Sequence, residues 1–429
     1  MQRKIYLGLL LAVCVLLSSC QKDDEVPPTD YSIESTSAFE LISQHPNGWI
    51  KEARYFKALN QPSEEFEYYD NGYIKSAKIY ASYPQQHLYM EVSRSEDNEP
   101  LWSKYYTPEG ELWFETEYEN GLPSVKKVYS EQGTSVHSYT NGELTSVEFT
   151  AADNSSTAIT TCNPAAGTRN VSITRNGESI LDEDYPYHEQ VGAGVYTTNH
   201  VPVANAFNNA ETSYNKLNQS FYQSPSWQFD ADPIEFMFPY SLYDEFYYPG
   251  DYFATRFAVT TDLYQSVIEQ YPVTEKGVLI GSSSYIDGYH SMQNSWEVRD
   301  SLASVYEEDP ALYKLKYGNE YAEKVGYGKI FFVIGAIRNL PTDENVANNI
   351  KHLAYRKMTG MLNGNTGITA DEQELMDKVW FEVKFFSTLK EHRNGVVLDS
   401  PEDYEQLMQA VNDAELSVLQ MEYQTVEWL

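Results

Sequence analysis

Cysteine is scarce in this chain, which has only Cys14, Cys20 and Cys162 among its 429 residues. A disulfide framework needs several paired cysteines, so disulfides are not expected to hold the fold together. Hydrophobic residues make up 41% of the chain. The sequence is therefore long and apolar enough to bury sizeable cores in two or three domains.

Positively charged residues are also few. Lysine and arginine number 30 against 63 aspartate and glutamate residues, which gives a formal net charge of −33. Such a chain repels the phosphate backbone of nucleic acids, and no concentrated basic patch offsets the repulsion. Charge alone also disfavours adhesion to anionic lipid. We therefore expect no nucleic-acid partner.

Motifs for catalysis and metal binding are absent as well. None of the eight histidines is followed by another four residues later, so there is no zinc-protease helix. The run Gly281-Ser282-Ser283-Ser284 lacks the lysine of a Walker loop, and no Gly-x-Ser-x-Gly elbow occurs. Asp230-Ala231-Asp232 lacks the glycine and glutamate of an EF-hand. The sequence predicts a protein that is not an enzyme and that has no metal site and no cofactor.

No apolar run is long enough for a membrane-spanning helix. The run at residues 5–17 falls short of the ~20 residues that such a helix needs. It follows Arg3 and Lys4 and leads into Leu17-Ser18-Ser19-Cys20. A basic start, a short apolar stretch and small residues form the layout of a secretory signal peptide. We assign this peptide to residues 1–19.

The residues around Cys20 resemble those of a bacterial lipoprotein. Leu17-Ser18-Ser19-Cys20 is similar to a lipobox, which implies that Cys20 is acylated and becomes the mature N-terminus. The next segment resembles the acidic export signal of surface lipoproteins in the Bacteroidota; it comprises Gln21, Lys22, Asp23, Asp24 and Glu25. These resemblances imply a lipid-anchored protein of the bacterial outer membrane, exposed at the cell surface. Residues 20–36 are predicted to be an acidic, flexible tether.

A repeat fills the next part of the chain. Asn47-Gly48-Trp49-Ile50-Lys51 is echoed by Asn71-Gly72-Tyr73-Ile74-Lys75, and looser copies follow at Glu109-Gly110, Asn120-Gly121, Gln132-Gly133, Asn141-Gly142 and Asn176-Gly177. Asn-Gly adopts positive φ and favours tight hairpin turns. The pattern predicts an N-terminal antiparallel β-meander of hairpins over residues 37–180. It resembles MORN-type tandem repeats, which implies a scaffold or binding platform.

Residues 181–429 change in character and predict an α+β domain. Helical periodicity marks residues 296–306, 310–325, 344–358, 371–379 and 401–414. Apolar runs typical of strands lie at residues 253–259, 277–280, 329–337, 380–386 and 416–422. These elements predict a mixed or antiparallel sheet accompanied by helices.

This second domain resembles the cholesterol-dependent cytolysins of the MACPF superfamily over residues 205–429. The similarity rests on short motifs, among them Val325-Gly326-Tyr327-Gly328-Lys329, and its marker positions are Tyr317, Gly318, Tyr327, Gly328, Lys329, Val396, Val397 and Tyr423. The resemblance implies a bent central antiparallel sheet flanked by two helical clusters, at residues 211–250 and 342–360. In that family the clusters unfold into membrane-inserting hairpins, and subunits oligomerise on a target membrane.

Two functions follow from the sequence. The resemblance implies a surface lipoprotein similar to pore-forming toxins, with a target membrane, further copies or a partner lipoprotein as its partners. However, residues 346–362 in strand form place Arg356 and Lys357 on opposite faces, and a cation facing lipid is unfavourable. Pro225 is likewise not expected inside a strand. The alternative is a non-lytic binding lipoprotein, whose repeats present aromatic faces, in a chain with 36 tyrosines, to a glycan or a protein.

Overall fold

The computed structural model describes most of the chain after the predicted leader. The described residues are 31–58, 61–81, 86–186, 193–196, 201–205, 207–209, 212–228, 258–271, 278–292, 297–298, 307–364 and 367–425. The predicted signal peptide, Cys20 and the export segment Gln21 to Glu25 lie outside the described residues.

The first sheet is a meander of 13 antiparallel strands in which each strand pairs with the next one along the chain. The predicted β-meander is therefore confirmed. Its strands are β1 (Phe39–Gln44), β2 (Ile50–Ala58), β3 (Gln61–Tyr68), β4 (Ile74–Ala81), β5 (His87–Arg94), β6 (Pro100–Tyr106), β7 (Leu112–Glu119), β8 (Leu122–Ser130), β9 (Gly133–Thr140), β10 (Glu143–Ala151), β11 (Ser156–Asn163), β12 (Thr168–Arg175) and β13 (Glu178–Pro186). We call it the repeat sheet.

Two turn geometries recur between strands of the repeat sheet. At Asn120-Gly121 and Asn141-Gly142 both residues have positive φ, from 51° to 75°, as type I′ hairpin turns require. At Gly48 and Gly72 only the glycine is left-handed, with φ of 87° and 86°. There the glycine N–H donates to the carbonyl of the residue three positions earlier. The repeated glycines are thus placed where a side chain would strain the backbone.

One face of the repeat sheet is buried, and its residues form ladders across the strands. The central ladder is a row of cross-strand neighbours made of Ala53, Phe66, Ala77, Val92, Ser103, Thr116, Lys126, His137, Val147, Thr160 and Val171. Its first four members are apolar, whereas the next four, from Ser103 to His137, are polar. An apolar layer packed on these four polar side chains would leave them without hydrogen-bond partners.

The second sheet has eight strands, and a two-stranded ribbon accompanies it. Strands β17, β18, β20 and β21 are neighbours in that order, and every pair is antiparallel. Strand β23 pairs with the first half of β20, and β22 pairs with β21. The bounds are β14 (Ala193–Tyr196), β15 (Val201–Asn205), β16 (Phe207–Asn209), β17 (Thr212–Gln228), β18 (Val278–Met292), β19 (Glu297–Val298), β20 (Glu320–Arg338), β21 (Trp380–Ser387), β22 (Val396–Val397) and β23 (Ser417–Thr425).

Five α-helices occur among the described residues: α1 (Ala258–Gln270), α2 (Pro310–Tyr317), α3 (Glu344–Asn363), α4 (Ala370–Met376) and α5 (Pro401–Asp413). Side-chain caps fix the starts of the last three, through Asp343, Thr369 and Ser400, as N-cap residues do. The helices predicted at residues 344–358 and 401–414 are confirmed, and the helix predicted at residues 371–379 is correct as far as Met376. Because strands dominate the fold, the α+β prediction is only partly correct.

Three expected elements of the second part differ from the structure. The helix predicted at residues 310–325 is wrong beyond Tyr317, because Gly318, at φ 78°, ends the helix and β20 follows. The strand predicted at residues 253–259 is wrong for its last two residues, which begin α1, and its first five residues lie outside the described part of the chain. Of the helix predicted at residues 296–306, Glu297–Val298 is a strand, and the rest lies outside the described residues.

The first predicted helical cluster, at residues 211–250, is wrong for its first part, where Thr212–Gln228 forms β17. Strand β17 tolerates Pro225 for two reasons. Among the described residues it pairs with β18 alone, so it is an edge strand. Its register also shifts between Gln223 and Ser226, and sheets accept proline at edges and bulges. Residues 229–250 lie outside the described part of the chain.

Helix α1 lies between the two sheets. One core joins Phe66 and Tyr105 of the repeat sheet, Val267 of α1, and Phe332 and Phe386 of the second sheet. Alternate residues on strands β20 and β21 point the opposite way and belong to a separate core with α3, α4 and α5. The helix is thus the middle layer of a sheet–helix–sheet sandwich.

Candidate functional site: the polar interface around helix α1

Helix α1 carries buried polar side chains where an ordinary middle layer is apolar. Gln265, Ser266, Glu269 and Gln270 are 5%, 8%, 2% and 2% exposed. Residues four positions apart are neighbours on a helix surface, so these side chains form two adjacent pairs. Polar groups this deeply buried need hydrogen-bond partners, and each sheet supplies some.

The first group of partners comes from the repeat sheet. We call Ser103, Tyr105, Tyr118, Gln265 and Glu269 the Glu269 cluster. The Tyr105 and Tyr118 hydroxyls donate to the two Glu269 carboxylate oxygens at 3.1 and 3.2 Å. Gln265 Nε2 donates to Glu269 Oε1 at 2.8 Å and lies 3.3 Å from Ser103 Oγ. The polar middle of the central ladder thus meets the polar face of α1.

The Glu269 cluster places ionisable groups in the buried interior. Burial raises the pKa of the Glu269 carboxyl, although hydrogen bonds from Gln265 and Ser103 and the charge of Arg94 act in the opposite direction. Burial also lowers the pKa of the Arg94 guanidinium to about 10, and the charge of Glu269 opposes that shift. Arg94 is 2% exposed, and its Nε donates to Asn98 Oδ1 at 2.8 Å. A buried acid and a buried cation in one region offset part of each other's desolvation.

A second group joins α1 to strand β21 and to a turn of the repeat sheet. We call Tyr73, Gln270, Tyr271, Glu382 and Lys384 the Glu382 cluster. Glu382 Oε2 accepts from the Tyr73 hydroxyl at 2.6 Å, and Glu382 Oε1 lies 3.3 Å from Lys384 Nζ, with both side chains 6% exposed. Lys384 Nζ also donates to Gln270 Oε1 at 3.0 Å. Burial lowers the pKa of Lys384 to about 8, against the attraction of Glu382.

Arg338, at the end of β20, connects the same three layers. Its guanidinium donates to the carbonyl of Gly72 at 2.9 Å and to that of Gln270 at 3.2 Å. The same group lies 4.1 Å from the centre of the Trp380 ring, where a cation is attracted by the ring electrons. Each layer therefore provides groups that the other two need in order to satisfy their buried charge.

This interface holds the three layers together. Its charges and phenols are hydrogen-bonded to one another across the layers, and separating the layers breaks these bonds and leaves any group that stays buried without a partner. Within the described ranges no cluster of three or more histidine, cysteine, aspartate or glutamate side chains could hold a metal ion. In the same ranges no helix combines the length and the apolarity needed to cross a membrane.

The structure places the marker positions of the sequence resemblance along β20 and its neighbours. Tyr317 and Gly318 lie at the end of α2, and Tyr327, Gly328 and Lys329 lie in β20. Lys329 Nζ donates to the carbonyl of Asn412 at 2.6 Å. Tyr423 in β23 pairs with Ala322 of β20.

Val396 and Val397 form β22 and pair with Phe385 and Lys384 of β21. The marker positions therefore follow one long strand and its flanks, and they do not converge on one site. Through the pairing of β21 with β22, Lys384 of the Glu382 cluster lies opposite the marker residue Val397.

None of the interface residues was predicted from the sequence to belong to a site. Glu269 and Gln265 lie in no motif, and their partners on the repeat sheet are separated from them by more than 100 residues along the chain, as Tyr105 and Glu269 are by 164. One signal was present. In the repeats, Ser103, Thr116, Lys126 and His137 occupy the ladder positions that hold alanine, valine or phenylalanine earlier in the chain. Polar residues at inward positions of successive repeats indicate a polar partner.

Comparison with known proteins gives no family for this chain. No protein-family model matches it, and no curated protein does. The accessory secretory protein 1, 2 and 3 structure from Streptococcus pneumoniae matches 25% of this chain at 15% identity with a TM-score of 0.17. A GtfA/B complex bound to UDP and GlcNAc matches 36% at 14% identity with a TM-score of 0.11. The matches span 20% and 25% of those chains, so they carry neither fold nor function.

Proposed function

We propose that the chain is a surface-anchored lipoprotein of the pore-forming kind, with a cytolysin-like second domain that its own repeat sheet holds in a resting form. The observation that carries the proposal is the arrangement of four strands. β17, β18, β20 and β21 lie side by side as two antiparallel hairpins. In each hairpin a long insert joins the strands, at residues 229–277 and 339–379.

The inserts have the size and content that membrane insertion of hairpins requires. A strand that crosses a bilayer needs ~9–11 residues, and each insert is long enough for two of them. The second insert contains α3 and α4, and the described part of the first contains α1. Backbone groups in lipid must all be hydrogen-bonded, so paired strands that extend the existing hairpins are one form in which the inserts can enter a membrane.

The interface around α1 gives the repeat sheet a role in this proposal. Helix α1 belongs to the first insert, and its Gln265 and Glu269 are hydrogen-bonded to the repeat sheet. The insert cannot extend into a hairpin while these bonds hold. The repeat sheet therefore acts as a restraint, and activation requires that it separate from α1.

A disulfide that holds α1 in place tests whether this helix must move. Ser266 Oγ of α1 lies 3.1 Å from Asn394 Oδ1, just before β22, so a disulfide between cysteines at the two positions would tie α1 to the second sheet. In a Cys162→Ser background, the mature chain from Gln21 carrying Ser266→Cys and Asn394→Cys is mixed with dye-filled liposomes. We expect no dye release from the oxidised form and release after reduction. The two single-cysteine variants are the matched controls and should release dye under both conditions.

The alternative function gives a different outcome. If the chain is a non-lytic binding lipoprotein, neither the reduced nor the oxidised form releases dye, and electron microscopy shows no rings on the liposomes. One observation favours this candidate: Trp102 and Leu101 on the repeat sheet are 36% and 45% exposed. A glycan array probed with the mature chain and with Trp102→Ala then shows a specific ligand that the substitution removes.

The location of the protein is part of the proposal. Acylation of Cys20 would anchor the chain to the outer membrane, because acyl chains contribute ~0.8 kcal/mol per buried methylene. Cell fractionation of the Cys20→Ser variant tests the anchor. The variant should leave the membrane fraction, and its continued presence there would contradict the lipid anchor.

A further inference from the structure

A small cavity lies beside the Glu269 cluster, where the repeat sheet, α1 and residues 388–395 meet. Its volume is about 30 Å³, more than the ~10–15 Å³ that one water molecule needs. Residues of all three parts line it, including Thr116 and Lys126 from the repeat sheet, Glu269 from α1, and Lys390 and Arg393 from the last segment. The cavity thus touches every layer of the interface.

The cavity wall is cationic in a strongly acidic chain. Lys126, Lys390 and Arg393 line it with a single carboxyl, that of Glu269, although the whole chain carries a net charge of −33. Lys390 Nζ lies 3.4 Å from Glu143 Oε1, but the Glu143 side chain is 57% exposed, and such exposed pairs are weak. Three cationic side chains and one carboxyl therefore line the cavity.

A buried hydroxyl lines the same cavity. Thr116 is 3% exposed, and its Oγ1 has no hydrogen-bond partner among the described residues. On the sheet Thr116 lies directly between Ser103 and Lys126. A hydroxyl buried without a partner is unfavourable, and a bound polar group inside the cavity supplies the missing partner.

We propose that this cavity binds a compact oxyanion, either phosphate or a carboxylate group, between Lys126 and Thr116 on the repeat sheet and Lys390 and Arg393 on the opposite side. The three cations supply charge-assisted hydrogen bonds, which are the strong ones for oxyanions, and the Thr116 hydroxyl donates a further one. An anion held in this way bridges the repeat sheet and the second part of the chain. Binding therefore strengthens the interface around α1.

Titration of the mature chain with inorganic phosphate and, separately, with acetate tests the proposal. Sodium chloride keeps the ionic strength constant, and binding is followed by calorimetry and by the midpoint of thermal unfolding. We expect saturable binding and a rising midpoint. Lys126→Gln and Arg393→Gln should each raise the dissociation constant by roughly tenfold. Lys127→Gln is the matched control, because Lys127 lies next to Lys126 but pairs with Glu115 on the outer face.

Thr116→Val distinguishes a lost ligand contact from damage to the fold. The variant should weaken binding while the chain without anion remains at least as stable, since valine removes a buried hydroxyl that has no partner.

A response to phosphate alone assigns a phosphate ligand, and a response to both anions assigns a general oxyanion site. Vesicles with phosphatidic acid that bind through Lys126 identify a lipid headgroup as the source, whereas binding of phosphate only identifies the free anion. The proposal is overturned if neither anion binds beyond chloride, or if Lys127→Gln weakens binding as much as Lys126→Gln.

Discussion

The hydroxyl of Tyr73 donates a 2.6 Å hydrogen bond to Glu382 Oε2, across 309 residues of sequence. Tyr73 follows the Asn71-Gly72 turn of the repeat sheet, and Glu382 lies in β21 of the second sheet. The bond therefore connects the repeat motif itself to the strand beyond the second insert. Burial and the Glu382 carboxylate raise the pKa of Tyr73 above its ordinary value, so the phenol keeps its proton and acts as a donor.

Removal of this hydroxyl should weaken the fold. In Tyr73→Phe the buried Glu382 carboxylate loses its shortest hydrogen bond, and such a loss costs roughly 1–3 kcal/mol. Urea unfolding measures the change in the free energy of unfolding. Tyr106→Phe is the control, because the Tyr106 hydroxyl donates to Glu91 at the same distance of 2.6 Å but in a more exposed place. Equal losses in the two variants would contradict a special role for the Tyr73–Glu382 bond.

Two glycines of the repeat should respond differently to alanine. Gly48 and Gly72 have φ of 87° and 86°, so Gly→Ala strains both backbones by a similar amount, of order 1 kcal/mol. A methyl group at Gly72 would also lie 2.5 Å from Trp380 Cδ1, whereas at Gly48 it meets open space. Gly72→Ala should therefore lower the thermal midpoint clearly more than Gly48→Ala. Equal shifts would show that the Gly72 turn does not pack on Trp380.

The ion pair between Lys384 and Glu382 should show strong coupling. Lys384→Met leaves the Glu382 carboxylate buried without its cation, which costs ~3–5 kcal/mol. In a Glu382→Gln background the same substitution should cost much less, because no charge is left behind. A double-mutant cycle by urea unfolding measures this difference. If Lys384→Met costs the same in both backgrounds, the two side chains are not coupled.

The stability of the chain should depend on pH through Glu269. Burial raises the pKa of Glu269 in the folded state, so the folded chain holds this proton more tightly than the unfolded chain does. The contribution of Glu269 is complete below the unfolded pKa of ~4.3 and is lost as the pH rises through the folded value. Glu269→Gln, which stays neutral, should remove this loss. Urea unfolding from pH 4 to pH 8 should show a difference between variant and wild type that grows with pH, and a constant difference would contradict the raised pKa.

Local signals in the sequence predicted the elements whose causes are local. The Asn-Gly pairs specify the hairpins of the repeat sheet through positive φ. The caps at Asp343 and Ser400, with apolar residues at helical spacing, specify α3 and α5. In these elements the deciding residues lie within a few positions of one another.

The interface around α1 could not be predicted in the same way. Leu263, Val267 and Tyr271 recur every four positions, so the helix itself has a local signal, but the polar residues beside them do not indicate their partners. Gln265 and Glu269 are satisfied by groups such as Ser103 and Tyr105, which lie far away along the chain. The polar run in the central ladder was the remaining signal of a polar partner. It can be recognised only once the register of the strands is known.

The most direct test of the proposed restraint is hydrogen–deuterium exchange of the α1 amides. The mature chain is measured alone and on vesicles of phosphatidylethanolamine and phosphatidylglycerol. Alone, the amides of residues 263–270 should exchange slowly, because the helix is buried between two sheets. On vesicles, these amides should lose their protection while those of the repeat sheet keep theirs. Equal protection of α1 in both samples, under conditions in which the vesicles leak, would contradict the release of α1 from the repeat sheet.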